Sequence, residues 1–243
     1  MKKSLVIIPT YDEKENIEGI IRAVFELKAE FDVLVVDDNS PDGTASIVKT
    51  LQKEFDKLHL MEREGKAGLG TAYIAGFHFA LDHGYEYIFE MDADFSHNPQ
   101  DLVRLRTACE NGADLSIGSR YISGVNVVNW PMDRVLMSYC ASIYVQFITG
   151  IPIKDTTAGF KCYTRKVLET IGPDNVHFVG YAFQIEMKFL AWKYGFKITE
   201  VPIIFTDRTK GQSKMSRGIF KEAVFGVIQM KVKSLFKKYI PAQ

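Results

Sequence analysis

The chain has 243 residues, 47% hydrophobic, 12% aromatic and 25% charged, with 30 basic side chains balancing 30 acidic ones. This composition excludes a disordered or fibrous protein, and zero net charge argues against one that coats nucleic acid. Three widely spaced cysteines (Cys109, Cys140 and Cys162) with no Cys-x-x-Cys argue against a disulfide scaffold or a cysteine zinc site, and for a reducing compartment.

Residues 5–8 read as a buried strand, and residues 14–27 as a helix with Ile17, Ile20, Ile21, Val24 and Leu27 on one face. Val33-Leu34-Val35-Val36 is a second β-branched run, ending in Asp37-Asp38. A helix over residues 44–55 and a short strand near 58–61 follow. Residues 68–81 are predicted helical and 87–89 extended, leading into Asp92-Ala93-Asp94. Pro99 suits the first turn of a helix reaching Cys109, and residues 115–117 form the next strand. Strands apolar on both faces, alternating with helices, predict an α/β chain with a largely parallel central sheet, Rossmann-like, and helices on both faces. Ligands of such sheets bind at the carboxyl ends of the strands, where both acidic pairs fall.

Met1-Lys2-Lys3 runs straight into the first strand, so no signal peptide is expected. No stretch reaches the ~18 apolar residues of a spanning helix. The nearest, residues 135–148, is broken by Ser138, Ser142 and Gln146; it reads equally as a packed helix or as a groove for an apolar ligand. Residues 208–238 hold nine basic side chains and one acid, Glu222, so an acidic body carries a basic end. That end is expected to meet an anionic partner, with a solvated helix face as the alternative.

Two carboxylates at i and i+2 after a strand can converge on one hard cation shared with a diphosphate, which suits Mg²⁺ or Mn²⁺. A turn with solvated acids is the competing reading of Asp92 and Asp94. Tyr11 offers an aromatic face to a base and Glu13 an acceptor for its N–H or O–H groups. Two adjacent aspartates at 37 and 38 exceed what the following Ser-Pro-Asp-Gly turn requires. The glycine run from Gly65 to Thr71 lacks the Walker spacing and reads as a backbone turn opening a helix. Residues 207–214, rich in cations after a strand-like segment at 201–205, can fold over an anion. Trp130-Pro131 marks a turn into the next helix, and His97 reads as a support of the acidic loop or a helix-start residue, with metal ligation as the alternative.

Ile8-Pro9-Thr10-Tyr11-Asp12-Glu13, the run Val36 to Thr44, Gly68-Leu69-Gly70-Thr71-Ala72-Tyr73, Met91-Asp92-Ala93-Asp94-Phe95-Ser96-His97 and Gly118-Ser119-Arg120-Tyr121 occur in order. With the stretch from Asp207-Arg208 to Ser213-Lys214-Met215-Ser216, they resemble the family 2 glycosyltransferases of the GT-A fold. Within that family the resemblance is to the branch that mannosylates dolichyl and other polyprenyl phosphates. It implies that Pro9, Tyr11, Glu13, Val36 and Asp38 hold the nucleoside. Asp92, Ala93 and Asp94 would hold Mg²⁺ or Mn²⁺ and the donor diphosphate, with Arg120, Arg208 and Lys214 meeting phosphates. Some relatives have a metal-ligating Gln where this chain has Ser96; here Ser96 or water takes that place.

The implied reaction moves mannose from GDP-mannose to dolichyl or polyprenyl phosphate with inversion. A lipid phosphate is already ionised, so no general base is needed. The catalytic set is Asp92, Asp94, Arg208 and Lys214, with Arg134, Ser138, Asp155, Gln184 and Glu186 as acceptor-side candidates. The alternatives are a UDP-sugar donor, a hydroxyl acceptor served by Asp155 or Glu186 as base, and a non-catalytic nucleotide-sugar sensor. The expected division is a GT-A catalytic domain over residues 1–218 and a basic amphipathic helix over 219–243. That helix places Phe225, Ile228, Val232, Leu235 and Tyr239 at three-to-four spacing beside lysines, which suits a membrane surface. The expected location is the cytoplasm, peripheral on the cytoplasmic face of a membrane, with room for an anchoring accessory protein.

Overall fold

The structure, a computed structural model, describes residues 2–180, 182–208 and 217–240, with the backbone alone for 217–223. The first half alternates as β1 (Ser4–Thr10), α1 (Ile17–Phe25), β2 (Asp32–Asp37), α2 (Thr44–Leu51), β3 (Leu58–Glu62), α3 (Leu69–Asp82), β4 (Tyr87–Glu90), α4 (Asp101–Glu110) and β5 (Leu115–Ser119). Alternate residues of a strand face opposite sides, and this divides the core in two. Leu5, Ile7, Leu34 and Val36 pack under Tyr73 and Phe77 of α3, whereas Val6, Ile8, Val33 and Val35 meet Ile17, Ile20, Ile21 and Val24 of α1. Helix α3 lies so close to β1 that a Cβ at Gly76 would stand 2.7 Å from Ile7.

The second half supplies β6 (Val127–Val128), α5 (Met132–Thr149), β7 (Lys161–Thr164), α6 (Arg165–Ile171), α7 (Ala182–Lys193), β8 (Ile198–Pro202), β9 (Phe205–Thr206) and α8 (Arg217–Phe236). The main sheet runs β3-β2-β1-β4-β7-β5-β8. It is parallel except for β7, which runs antiparallel between β4 and β5. The strand expected over 201–205 is split: β8 ends at Pro202, and β9 pairs with β6 in a separate ribbon. The helix expected from residue 14 starts at Ile17, because Glu13 carbonyl accepts from both Asn16 and Ile17 N–H in a preceding turn.

The insertion of β7 sets Lys161 opposite Glu90, both fully buried. Lys161 Nζ lies 3.1 Å from Glu90 Oε2 and also meets Gln184 Oε1. Tyr163 Oη and Gln184 Nε2 donate to the same carboxylate at 2.8 and 2.7 Å. Such a pair is held by its surroundings, and removing one partner strands the other in a dry interior.

Helix α5 lies on the surface. Met132, Leu136, Met137, Tyr139, Ile143 and Phe147 are exposed, the last at 85%, while Ser142, Val145 and Thr149 face inward. Helix α8 packs beside it: Tyr144 Oη donates to Val224 carbonyl at 2.9 Å, and Lys231 Nζ to Thr149 carbonyl at 3.1 Å. Val227, Met230 and Ser234 are buried, and Phe225, Ile228, Val232 and Leu235 are exposed. The helix is therefore apolar on two sides, one packed against the domain and one turned outward. No helix among the described residues is long and apolar enough to cross a membrane.

Lys161→Met should destabilise the fold by about 3–5 kcal/mol, and adding Glu90→Leu should recover part of that loss. Urea unfolding measures both; a single variant within 1 kcal/mol of wild type, roughly the range of neutral substitutions, would contradict the role given to the pair.

Candidate active site

The carboxyl ends of β2, β1 and β4 lie side by side, so the loops after them share one crevice. These loops are stitched together. Thr10 Oγ1 donates to Asp37 Oδ1 at 2.7 Å, Asp12 N–H to Ser40 Oγ at 3.1 Å, and Glu13 N–H to Thr44 Oγ1 at 3.1 Å. Asp12, Asn39 and Phe95, one in each loop, have left-handed backbones with φ of 54°, 57° and 60°. That conformation is uncommon outside glycine, and for Phe95 it costs about 1–3 kcal/mol. Pro9 and Val36 sit on adjacent paired strands, and Val36 is part of the core, so any nucleoside contact from Val36 is through its backbone.

Asp38 is buried, and burial pushes its pKa up, opposed by Arg63. Arg63 Nε lies 3.3 Å from Asp38 Oδ1, and Lys66 Nζ stands 4.9 Å from the Tyr11 ring centre. Neither cation stands out in the sequence, where residues 65–71 read as a backbone turn. The signal was the Arg-Glu-Gly-Lys order directly after β3. The glycine run does open α3: Gly68, at φ 102°, precedes it, and a Cβ there would meet Val179 carbonyl at 2.9 Å.

Asp92 and Asp94 follow β4. The Asp92 side chain is 41% exposed to the crevice, and Asp94 is buried. Desolvation by the crevice walls, which its partial exposure moderates, and then the charge of Asp94 push the Asp92 carboxyl up. For Asp94, burial works the other way from the outcome: contacts from Ser96 and the Arg208 guanidinium outweigh it and hold the carboxyl below the ordinary range. Arg208 Nη2 lies 2.8 Å from Asp94 Oδ2, which brings the loop after β9 onto the acidic pair. Lys214 lies outside the described residues. His97 stacks on Phe160 at 4.7 Å, and burial lowers it to about 4. Its ring is thus neutral near pH 7, and Nδ1 accepts the Asp92 N–H at 3.4 Å.

Arg120 is buried against Asp155. Its Nε and Nη2 donate to the two Asp155 oxygens at 2.7 and 2.6 Å, and its backbone N–H adds a third bond at 2.9 Å. Burial alone would raise Asp155, but Arg120 outweighs it and holds the carboxyl low. Arg134 Nη1 donates to Asp207 Oδ1 at 2.8 Å, and Ser138 Oγ accepts from Tyr121 Oη at 2.8 Å. The dipeptide Asp207-Arg208 therefore joins Arg134 to Asp94. Gln184 and Glu186 have other partners: Gln184 lies in the Glu90–Lys161 cluster, and Glu186 accepts the His177 and Phe178 N–H groups, each at 2.9 Å.

Residues 5–172 match the sequence model described as Glycosyl transferase family 2. The chain belongs to that family. It is 47% identical over 229 residues to the polyprenol monophosphomannose synthase of Mycolicibacterium smegmatis, spanning 94% of this chain and 86% of that protein. It is 45% identical over 223 residues to the undecaprenyl-phosphate mannosyltransferase of Micrococcus luteus, spanning 92% and 91%. A glucosyl-3-phosphoglycerate synthase from Mycobacterium tuberculosis, solved with Mn²⁺, UDP and glucosyl-3-phosphoglycerate, has TM-score 0.68 at 15% identity over 100% of this chain and 82% of that one. The mannosyltransferase PcManGT from Pyrobaculum calidifontis, solved with GDP-Man and Mn²⁺, has TM-score 0.57 at 18% identity over 97% and 74%. These two likenesses establish the GT-A fold, and the family makes the chain a glycosyltransferase.

Asp155→Asn leaves the Arg120 charge buried without its partner and should cost about 3–5 kcal/mol at pH 7. Because the folded pKa of Asp155 is lowered, its contribution is full above the unfolded value of about 3.9 and is lost as pH falls through the folded one. Urea unfolding of both proteins should show a constant gap from pH 7 to 5 that narrows only below about pH 4. A gap that closes near pH 6 would contradict the assignment.

Proposed function

We propose that this glycosyltransferase moves mannose from GDP-mannose to a polyprenyl phosphate, with inversion, in the presence of Mg²⁺ or Mn²⁺. The observation that carries this reading is the 2.8 Å contact between Arg208 and Asp94. It joins a cation from the far end of the chain to the carboxylate pair at the head of β4. The similarity to the two polyprenyl-phosphate mannosyltransferases supports the donor sugar and the acceptor.

The donor set fits a hard divalent cation. Asp92 and Asp94 are oxygen ligands on one irregular loop, and the Ser96 hydroxyl, buried beside them, lacks a well-formed hydrogen bond. Diphosphate oxygens and water would complete the oxygen shell of such an ion. When bound, the ion would supply Lewis-acid stabilisation of the departing diphosphate. Arg208, already at the acidic pair, adds positive charge where negative charge grows. Tyr11, Glu13 and Asp38 would face the nucleoside, with Arg63 and Lys66 beside them. On the acceptor side Arg134 would screen the repulsion between the acceptor anion and the donor, while Arg120 braces the floor through Asp155.

A hydroxyl acceptor would need a general base, and Asp155 and Glu186, the two carboxylates that the sequence offers for that task, are engaged. Asp155 gives both oxygens to Arg120, and Glu186 receives two backbone N–H groups. A phosphate acceptor needs no such base. The outward faces of α5 and α8, with Lys233, Lys237 and Lys238 exposed at the end of α8, further support a peripheral position on an anionic membrane surface.

Incubation with radiolabelled GDP-mannose and polyprenyl phosphate should carry label into organic solvent, and Asp94→Ala should reduce the rate by on the order of 1,000-fold with an unchanged circular dichroism spectrum. Label recovered only from UDP-glucose or UDP-N-acetylglucosamine would overturn the donor. Binding to anionic vesicles should weaken with salt and fall about tenfold in a Phe225→Ser, Val232→Ser, Leu235→Ser variant. Undiminished binding would remove α8 from the membrane contact.

A further inference from the structure

Trp130 reads in sequence as a turn residue, and it does stand directly before Pro131, the residue that precedes α5. Its surroundings are aromatic and cationic. The indole packs edge-on against Phe205 at 5.1 Å. The Arg134 guanidinium lies 4.2 Å from the ring centre, and that of Arg120 lies 5.4 Å away. Two cations therefore share one aromatic side chain, a favourable contact for each.

The indole Nε1 is buried and has no hydrogen-bond partner among the described residues. An indole N–H donates and never accepts. Buried donors are nearly always satisfied, so this one calls for an acceptor. An acceptor beside the Arg134 guanidinium is electrostatically favoured if it is an anion, whereas Asp155 already neutralises Arg120. Arg134 commits one of its five N–H donors to Asp207, so it retains donors for the same anion. The exposed Met132 and Leu136 begin the outward apolar stripe of α5 immediately beyond. An anionic head and an apolar tail thus meet matching surfaces within two turns of one helix.

We propose that Trp130 contacts the acceptor, its Nε1–H donating to a phosphate oxygen while its ring orients the Arg134 guanidinium toward the same group. This rests on the phosphate-acceptor reading above and adds a residue to it. Trp130→Phe keeps an aromatic face for Arg134 and removes the donor; Trp130→Leu removes both.

Steady-state kinetics with GDP-mannose and a polyprenyl phosphate read the first part. Trp130→Phe should raise the acceptor KM about tenfold, the worth of one hydrogen bond to a charged group, and leave the donor KM within about twofold. Trp130→Leu should also lower kcat, because Arg134 loses its platform. A Trp130→Phe enzyme with an unchanged acceptor KM would overturn the proposal, while failure of the wild type to use any lipid phosphate would instead overturn the acceptor class. The second measurement needs no turnover. The chain has two tryptophans, so Trp192→Phe makes its emission report Trp130 alone. Farnesyl phosphate should shift that emission saturably and farnesol should not; equal responses, or none at concentrations that support transfer, would count against an indole–phosphate contact.

Discussion

Asp94 and Arg208 are remote from each other in the chain, and their contact fixes how the crevice is assembled. The carboxyl edge of the sheet gathers Asp37, Asp38, Asp92 and Asp94, and Glu90 and Asp155 lie beneath or beside it. So much negative charge in a poorly solvated place is tolerable only with cations close by. Arg63, Lys161, Arg120 and Arg208 meet that need one by one, each from a different part of the chain. The fold can be read as a frame that delivers these cations to fixed places.

Two of them are permanent and two line the crevice. Lys161 and Arg120 are enclosed, and their partners, Glu90 and Asp155, leave them little freedom. They hold the floor: Lys161 under the strand that leads into Asp92, and Arg120 under the segment that Glu200 and Lys188 also tether. Glu200 accepts the Asp155 N–H at 2.9 Å, and Lys188 donates to Ala158 carbonyl at 2.6 Å. Arg63 and Arg208 are more accessible, with side chains 16% and 25% exposed. A group that must meet a substrate anion has to keep some access, and a group that only neutralises a buried acid does not.

Much of this was legible in the sequence where local pattern and global role coincide. Five strands with apolar runs and turn residues between them announce the first half, and Asp92-Ala93-Asp94 stands at a strand end in both sequence and structure. The antiparallel β7 was not legible, because Lys-Cys-Tyr-Thr is four residues long and begins with a lysine that composition places on a surface. Nothing local announces that its neutralising partner, Glu90, lies across a strand pair. Arg63, Lys66 and Trp130 were hidden for a related reason: their neighbours, glycines and a proline, have local explanations that account for the motif before its side chains are considered. Helix α5 shows the reverse, since an apolar helix gives the same pattern whether its face is covered by protein or turned outward.

The most direct test of the central contact is a double-mutant cycle on Asp94 and Arg208, using Asp94→Asn and Arg208→Gln, with GDP-mannose affinity measured by calorimetry in the presence of Mn²⁺. If both groups act on one diphosphate, the two losses should be non-additive, with a coupling of about 1 kcal/mol or more. Strict additivity, as found for distant independent sites, would mean that the two side chains serve separate ends and that the crevice is not organised around their meeting.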